Sequence, residues 1–308
     1  MGKVLVTGSS GFLGSTIVND YHKLFGDIIA VSRSIRNTDN SNVKNYAVDI
    51  CDPSFISLVQ ENSPTAIIHT AARSIVRDCE QNPADAFRQN VQGTINVLEA
   101  ARKLQTNIPV IVLETDKVYG QQPPENIPTT EEHPLLGFSP YEYSKVLTAN
   151  VCEFYRQYYG MNIYSLRPAN IYGYWDKNMS RIIPGTFDKL QRGESPTIYS
   201  GSETQLREYV FVDDVVRIID QLIKVQPAAG AYNISSGCVK SAGDMMQEIM
   251  NAMGVNIPIA IIDKPFKFNE INNQALDGTK ITDSVPILYT PLQIALAQMW
   301  QRIRSNKE

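Results

Sequence analysis

The chain has little of what a metal centre or a disulfide framework needs. Its 308 residues hold 4 cysteines and 3 histidines. Cys51, Cys79, Cys152 and Cys238 are far apart, and no CxxC pair occurs. Structural zinc sites draw their ligands from short, repeated spacings, so no metal is expected. Isolated thiols suit a reducing compartment, and a cytoplasmic location is expected. Runs of one charge sign are missing too: 28 Lys and Arg stand against 32 Asp and Glu, for a net charge of −4. A nucleic-acid or membrane-surface partner needs a concentrated basic field, so neither is expected. No apolar stretch is long enough to span a bilayer, and the start, Met1-Gly2-Lys3, shows no cleavable apolar leader or myristoylation pattern. What is present is ordinary for a globular chain with a sizeable core: 43% hydrophobic and 19% charged residues.

The first two-thirds alternate between short apolar runs and helical periodicity. Strands are expected at 3–6, 28–31, 46–48, 66–69, 109–113 and 163–166. Helices are expected over 12–24, where Leu13, Ile17, Tyr21 and Leu24 share a face, over 84–105, and over 141–159, closed by Gly160. Asp52-Pro53 marks another helix start. This alternation predicts an α/β fold with a doubly wound parallel sheet. The segment 121–137, rich in Pro, Gln and Glu, reads as a surface loop. Beyond residue 171 the pattern loosens to a helix over 181–192, a strand at 197–199 and a helix over 215–225. The tail past Pro258 yields no clear element.

Between the first strand and first helix lies Gly8-Ser9-Ser10-Gly11-Phe12-Leu13-Gly14. A tight glycine turn at a helix start brings backbone N–H groups and the positive helix end to a pyrophosphate. Gly14 allows close packing of helix on strand. The loop therefore predicts a dinucleotide cofactor. An acidic residue ending the second strand would hold a free ribose 2′-hydroxyl, but the strand ends Ser32-Arg33. Arg33 and its flanking hydroxyls favour NADP over NAD, because a guanidinium suits a 2′-phosphate. Asp49-Ile50, after the third strand, either reaches the adenine amino group or caps the next helix.

Two further signals carry chemistry. Tyr141-x-x-x-Lys145 puts a phenol and an amine on one face, one helical turn apart. Thr115-Asp116-Lys117 follows an apolar strand and adds a second acid–base pair, which hydride transfer alone does not require. These residues stand in a longer series. It includes His69-Thr70-Ala71-Ala72, Asn90-Val91-x-Gly93-Thr94, Val118-Tyr119-Gly120 and Arg167-Pro168-x-Asn170-x-Tyr172-Gly173. It ends with Arg207-Glu208-Tyr209-Val210-x-Val212-Asp213-Asp214 and Tyr232-Asn233-Ile234. In this order they resemble the extended short-chain dehydrogenase/reductase family, in particular its nucleotide-sugar branch.

The resemblance implies a Rossmann domain over 1–170, joined by 209–230, and a smaller nucleotide-sugar lobe made mainly of 171–308. It implies a homodimer formed through the helices that carry Asn90 and Tyr141. Cofactor contacts would come from Gly8, Ser10, Gly11, Phe12, Leu13, Gly14, Thr70, Ala71, Ala72, Asn90, Tyr141, Lys145 and Arg167, beside Ser32, Arg33, Asp49 and Ile50. Tyr141 would be the base for a sugar hydroxyl, Thr115 would bond the same hydroxyl, and the Lys145 ammonium would lower the tyrosine pKa and bind the nicotinamide ribose. Asn170, Arg181 and Arg207 would meet the sugar-nucleotide diphosphate, unless Arg207 pairs with Glu203 or Glu208; Tyr174 or Trp175 would stack on a base or pack internally. The family's 4,6-dehydratases have Thr-Asp-Glu where this chain has Thr115-Asp116-Lys117, and CDP-glucose 4,6-dehydratases resemble its Asp-Lys form. This points to a 4,6-dehydratase with Asp116 as acid to the leaving C6 hydroxyl and Lys117 as base at C5. The alternatives are a 4-epimerase, 4-dehydrogenase or 4-ketoreductase in which Asp116 and Lys117 form a loop ion pair, and a non-catalytic dinucleotide sensor.

Overall fold

The computed structural model describes residues 2–35, 40–200, 202–263 and 271–305. Its centre is a seven-stranded sheet. The strands are β1 (Lys3–Thr7), β2 (Asp27–Ser32), β3 (Val43–Ala47), β4 (Ala66–His69), β5 (Val110–Leu113), β6 (Ile163–Pro168) and, after the intervening β7 (Asn170–Tyr172), β8 (Thr197–Tyr199) and β9 (Leu206–Phe211), β10 (Gly230–Ile234). Their order is β10-β6-β5-β4-β1-β2-β3, and every neighbouring pair is parallel. The expected doubly wound Rossmann sheet is therefore present, with its switch point between β1 and β4.

Alternate residues of each strand enter opposite layers. Val4, Val6, Ile28, Ala30, Ile68 and Ile111 pack on one side, with Leu13 and Ile17 from the helix Phe12–Asp20 and Val215, Ile219 and Leu222 from the helix Val212–Val225. Leu5, Ile29, Val31, Ile67, Val110 and Val112 pack on the other, with Phe55, Leu98 and Tyr155. Burial on both faces explains why these strands read as unbroken apolar runs.

Several boundaries differ from the sequence expectation. The helix expected over 12–24 stops at Asp20 and resumes as His22–Phe25, with Tyr21 at φ −121° between them. The third strand begins at Val43, because Val43 pairs with Ile28 at the sheet edge, where the polar Lys44 and Asn45 are tolerated. The helix expected over 84–105 is three pieces: Pro83–Phe87, a π-helical turn Arg88–Gln92, and Gly93–Arg102. The helix over 141–159 is Pro140–Tyr159, started by a capping box in which Ser139 and Glu142 exchange hydrogen bonds.

The rest of the chain forms a smaller sheet in the order β11-β9-β7, where β11 is Val239–Ser241, and a β12-β8 pair, where β12 is Ala260–Ile262. The C-terminal helix Leu292–Ser305 docks on the first helix through Arg302, whose guanidinium donates to both oxygens of Asp20 at 2.6 and 2.7 Å.

Candidate active site

The glycine loop is built for close approach. Gly8 has φ +67°, and a Cβ there would lie 2.6 Å from the Ala71 nitrogen; one on Gly14 would lie 2.2 Å from the Gly8 carbonyl oxygen. Only residues without side chains let the β1 loop, the β4 loop and the first helix pack this closely. Gly11 is exposed and Ser10 half-buried in the β1 loop, Phe12 opens the helix, and Leu13 turns into the core. On the β4 side the Thr70 hydroxyl donates to the Thr7 carbonyl at 2.7 Å, which fixes the loop carrying Ala71 and the exposed Ala72. A tight glycine loop at the switch point, opening a helix, fits a dinucleotide pyrophosphate. Arg33 is exposed at the end of β2, and the Ser32 hydroxyl is turned onto the Ser34 carbonyl at 2.6 Å.

Asp49 accepts from the Cys51 N–H at 2.9 Å and from Gln89 at 3.3 Å. It shapes a turn; the following helix, Ser54–Asn62, has Asp52 bonded to the Ser54 N–H instead. Ile50, expected at the cofactor, directs its side chain into the core against Gly93 and is 5% exposed. Arg167, likewise expected at the cofactor, has its side chain bonded to protein partners. It is buried behind the site, with its Nε donating to Glu114 at 2.9 Å and its Nη1 to the Tyr119 hydroxyl at 3.0 Å. A guanidinium that balances a fully buried carboxylate is turned inward.

The reactive side chains converge above the ends of β5 and β6. Thr115, Asp116, Tyr141 and Lys145 are all buried. The Thr115 hydroxyl donates to Asp116 Oδ1 at 3.1 Å, and it is also hydrogen-bonded with Tyr141. Asp116 Oδ2 is buried with no hydrogen-bond partner. Burial pushes the Asp116 carboxyl up from the ordinary range, against the opposing fields of Lys117 and Arg207. An uncompensated buried carboxylate is costly, which shifts this group toward its protonated form.

Lys117 does not pair with Asp116 in an ordinary loop ion pair: its Nζ lies 3.5 Å from Oε1 of the buried Gln274. Gln274 lies in the poorly patterned tail, and no sequence signal marked it. Burial pushes Tyr141 up to about 12, with Thr115 and Arg181 acting in the opposite direction.

The expected lowering of Tyr141 by Lys145 is not seen. Burial brings Lys145 itself down to about 8, and its Nζ donates to the Leu113 carbonyl at 2.7 Å. Asn90 sits in the π-helical turn, where its amide donates to Ser144 Oγ at 2.8 Å and clasps the Arg73 backbone on both sides. It thus braces the residue next to Lys145.

The residues expected to meet substrate lie on the smaller sheet and nearby. Asn170 donates to the Glu208 carbonyl at 3.1 Å. Arg181 is exposed, reaches Asp176 at 3.2 Å, and its charge is felt at Tyr141. Arg207 is not paired with Glu208, which is buried on Ser235, Gly237 and Leu276; its guanidinium instead donates to the Leu206 and Asn272 carbonyls and to Gln205. Trp175 packs away from the site, donating to Asp20 at 2.8 Å under the Arg302 cation that also covers Tyr174. The four cysteines are free, and the described residues contain no cluster of metal-ligating side chains and no helix long and apolar enough to cross a membrane.

A parallel sheet with a glycine loop at its switch point, together with a buried tyrosine and lysine one helical turn apart, defines a nicotinamide-dependent enzyme. The chain belongs to the NAD dependent epimerase/dehydratase family, whose model matches residues 4–235. It is 30% identical to a UDP-glucose 4-epimerase of Mycolicibacterium smegmatis over 96% of this chain and 95% of that one. It is 27% identical to a dTDP-glucose 4,6-dehydratase of Haemophilus influenzae over 81% and 79%. A UDP-glucose 4-epimerase of Thermotoga maritima, solved with UDP-glucose, superposes with a TM-score of 0.89 at 25% identity, over 99% of this chain and 100% of that one. Nucleotide-sugar epimerases and dehydratases are thus both among its relatives.

Proposed function

We propose that the protein is a nucleotide-sugar 4,6-dehydratase, converting a nucleoside-diphosphate hexose to its 4-keto-6-deoxy form with loss of one water. The observation that carries this reading is Asp116, a buried carboxyl whose Oδ2 has no partner beside Tyr141. A second acid whose hold on its proton is strengthened by burial has no task in a 4-epimerase or 4-ketoreductase, where one proton-transfer group at O4 suffices. In a dehydratase it donates to the departing O6. A bound dinucleotide would supply a hydride acceptor for C4 that gives the hydride back at C6, so none is consumed.

The chain's own groups do the rest. Tyr141 takes the O4 proton, Thr115 holds the same hydroxyl, Asp116 protonates the leaving oxygen, and Lys117 removes the C5 proton and returns it to C5 when the hydride reaches C6. The Lys145 ammonium holds the nicotinamide ribose. Gly8, Gly11 and Gly14 admit the pyrophosphate, and Arg33 takes a 2′-phosphate, so the cofactor is NADP. Asn170, Arg181 and Arg207 face the substrate diphosphate, and 171–308 supplies most of that lobe. The second reading, a 4-epimerase, is favoured by the Mycolicibacterium relative.

Mass spectrometry of the products from GDP-, CDP-, UDP- and dTDP-hexoses, with NADP and NAD supplied separately, tests the assignment. Loss of one water without net cofactor reduction is expected. An altered sugar of unchanged mass would establish the epimerase instead.

The helix Pro140–Tyr159 leaves Tyr143, Phe154 and Tyr158 exposed at near-helical spacing, and Phe87 of the neighbouring helix packs edge-on against Tyr143. A monomer rarely exposes such an aromatic stripe without a partner. The protein is accordingly proposed to be a homodimer through this face. Sedimentation should give twice the chain mass, and Tyr158→Glu with Phe154→Glu should give the monomer.

A further inference from the structure

Glu114 closes β5's apolar run and immediately precedes Thr115. Its side chain is 0% exposed. One oxygen meets Arg167 at 2.9 Å, and the other, Oε1, is buried without a hydrogen-bond partner. Burying a carboxylate with half of its hydrogen-bonding capacity unused is costly, and an apolar pair of the same size would stabilise the fold as well. The carboxylate lies beneath the site, next in the chain to Leu113, whose carbonyl binds Lys145 Nζ at 2.7 Å.

The other titratable groups whose fields reach Lys145 are neutral. His69, at the end of β4, is pressed by burial down to about 3, and it is held by Thr7 at 2.7 Å and Thr94 at 3.0 Å. Cys79, from the helix Val76–Gln81, and Cys152, on the lysine's own helix, are both thiols raised by burial. Arg167 is the second buried cation of the group, paired with the same carboxylate. We propose that Glu114 is a positioning residue for Lys145, a buried counter-charge that keeps its ammonium charged and in place under the cofactor ribose. Burial pulls Lys145 down to about 8, and among the groups acting the other way Glu114 is the largest. Removing the anion leaves the Lys145 ammonium buried without its largest counter-charge, and a lysine, unlike the Arg167 guanidinium, is able to discharge.

The inference rests on the reading of Lys145 as the cofactor lysine, and not on which sugar reaction follows. Cofactor binding therefore tests it without any substrate. Lys145 is charged below its folded pKa and discharges as pH rises through about 8. NADPH affinity, followed by nucleotide fluorescence from pH 6 to 9.5, is expected to weaken through a midpoint near 8 in the native protein. In Glu114→Gln, which still accepts from Arg167, the midpoint should fall by about one pH unit, a range set by a neighbouring opposite charge. Glu114→Asp, which withdraws the charge by one methylene, should move the midpoint the same way by less, and it serves if the Gln variant does not fold. Equal weakening at every pH, or an unmoved midpoint, overturns the role of Glu114. Absence of NADPH and NADH binding in the native protein overturns that role together with the reading of Lys145.

Discussion

Tyr141→Phe is expected to lower kcat by about 10³-fold on whichever nucleotide sugar the native enzyme turns over, while cofactor affinity stays within about threefold. The ring is 8% exposed and packs with Cys79 and Ala86, contacts that a phenyl group keeps. Only the hydroxyl is lost, and with it the group that takes the O4 proton. The hydroxyl is pushed up to about 12 by burial, so the protein without bound ligands holds it protonated. Thr115 and Arg181 already act to lower it, and a ribose-bound Lys145 ammonium would add to them. Single-turnover kinetics at saturating sugar nucleotide reads the effect. A loss under tenfold would remove Tyr141 from proton transfer.

Asp116→Asn carries the second large effect. The amide still accepts from the Thr115 hydroxyl, so the loop geometry is kept, but no acidic proton faces the C6 oxygen. Dehydration should fall by about 10²- to 10⁴-fold, the range for loss of a positioned acid. Oxidation at C4, read as reduced-nicotinamide absorbance under single turnover, should persist within about tenfold. This split separates a dehydratase from an epimerase or reductase: in those enzymes overall turnover would survive the substitution. Equal loss of both signals would mean that Asp116 acts on O4 through Thr115 rather than on the leaving group.

The parts of the fold readable in the sequence were those with a local cause. Strands buried on both faces form continuous apolar runs, and glycine loops and caps bracket them. β3 was misplaced because Lys44 and Asn45 stand at the sheet edge, where the apolar signal fades. The π-helical turn at Arg88–Gln92 is a shift in backbone hydrogen bonding with no compositional mark, yet it carries Asn90. Tyr232-Asn233-Ile234 was visible as a motif, but only long-range pairing with β6 makes it part of the main sheet.

The same division holds at the site. Tyr141 and Lys145 were legible because four residues make one helical turn. The hold of Leu113 on Lys145, the diversion of Lys117 to Gln274 and the inward turn of Arg167 all depend on contacts distant in sequence. Glu114 had one local sign, an acidic residue ending an apolar strand, and its meaning emerged only with Arg167 beside it.

The pairing of β10 with β6 has a consequence for how the chain is made. Gly230 aligns with Tyr164 and Ile234 with Pro168. As the polypeptide leaves the ribosome, β1 to β6 can assemble early, but the β6 margin stays open until residue 230 has emerged. An open strand margin of this kind is a template for pairing with another nascent copy. A chain released at residue 170 would carry that margin permanently. The last strand thus acts as a built-in seal, withholding a finished sheet from truncated products and leaving them to chaperones and proteases.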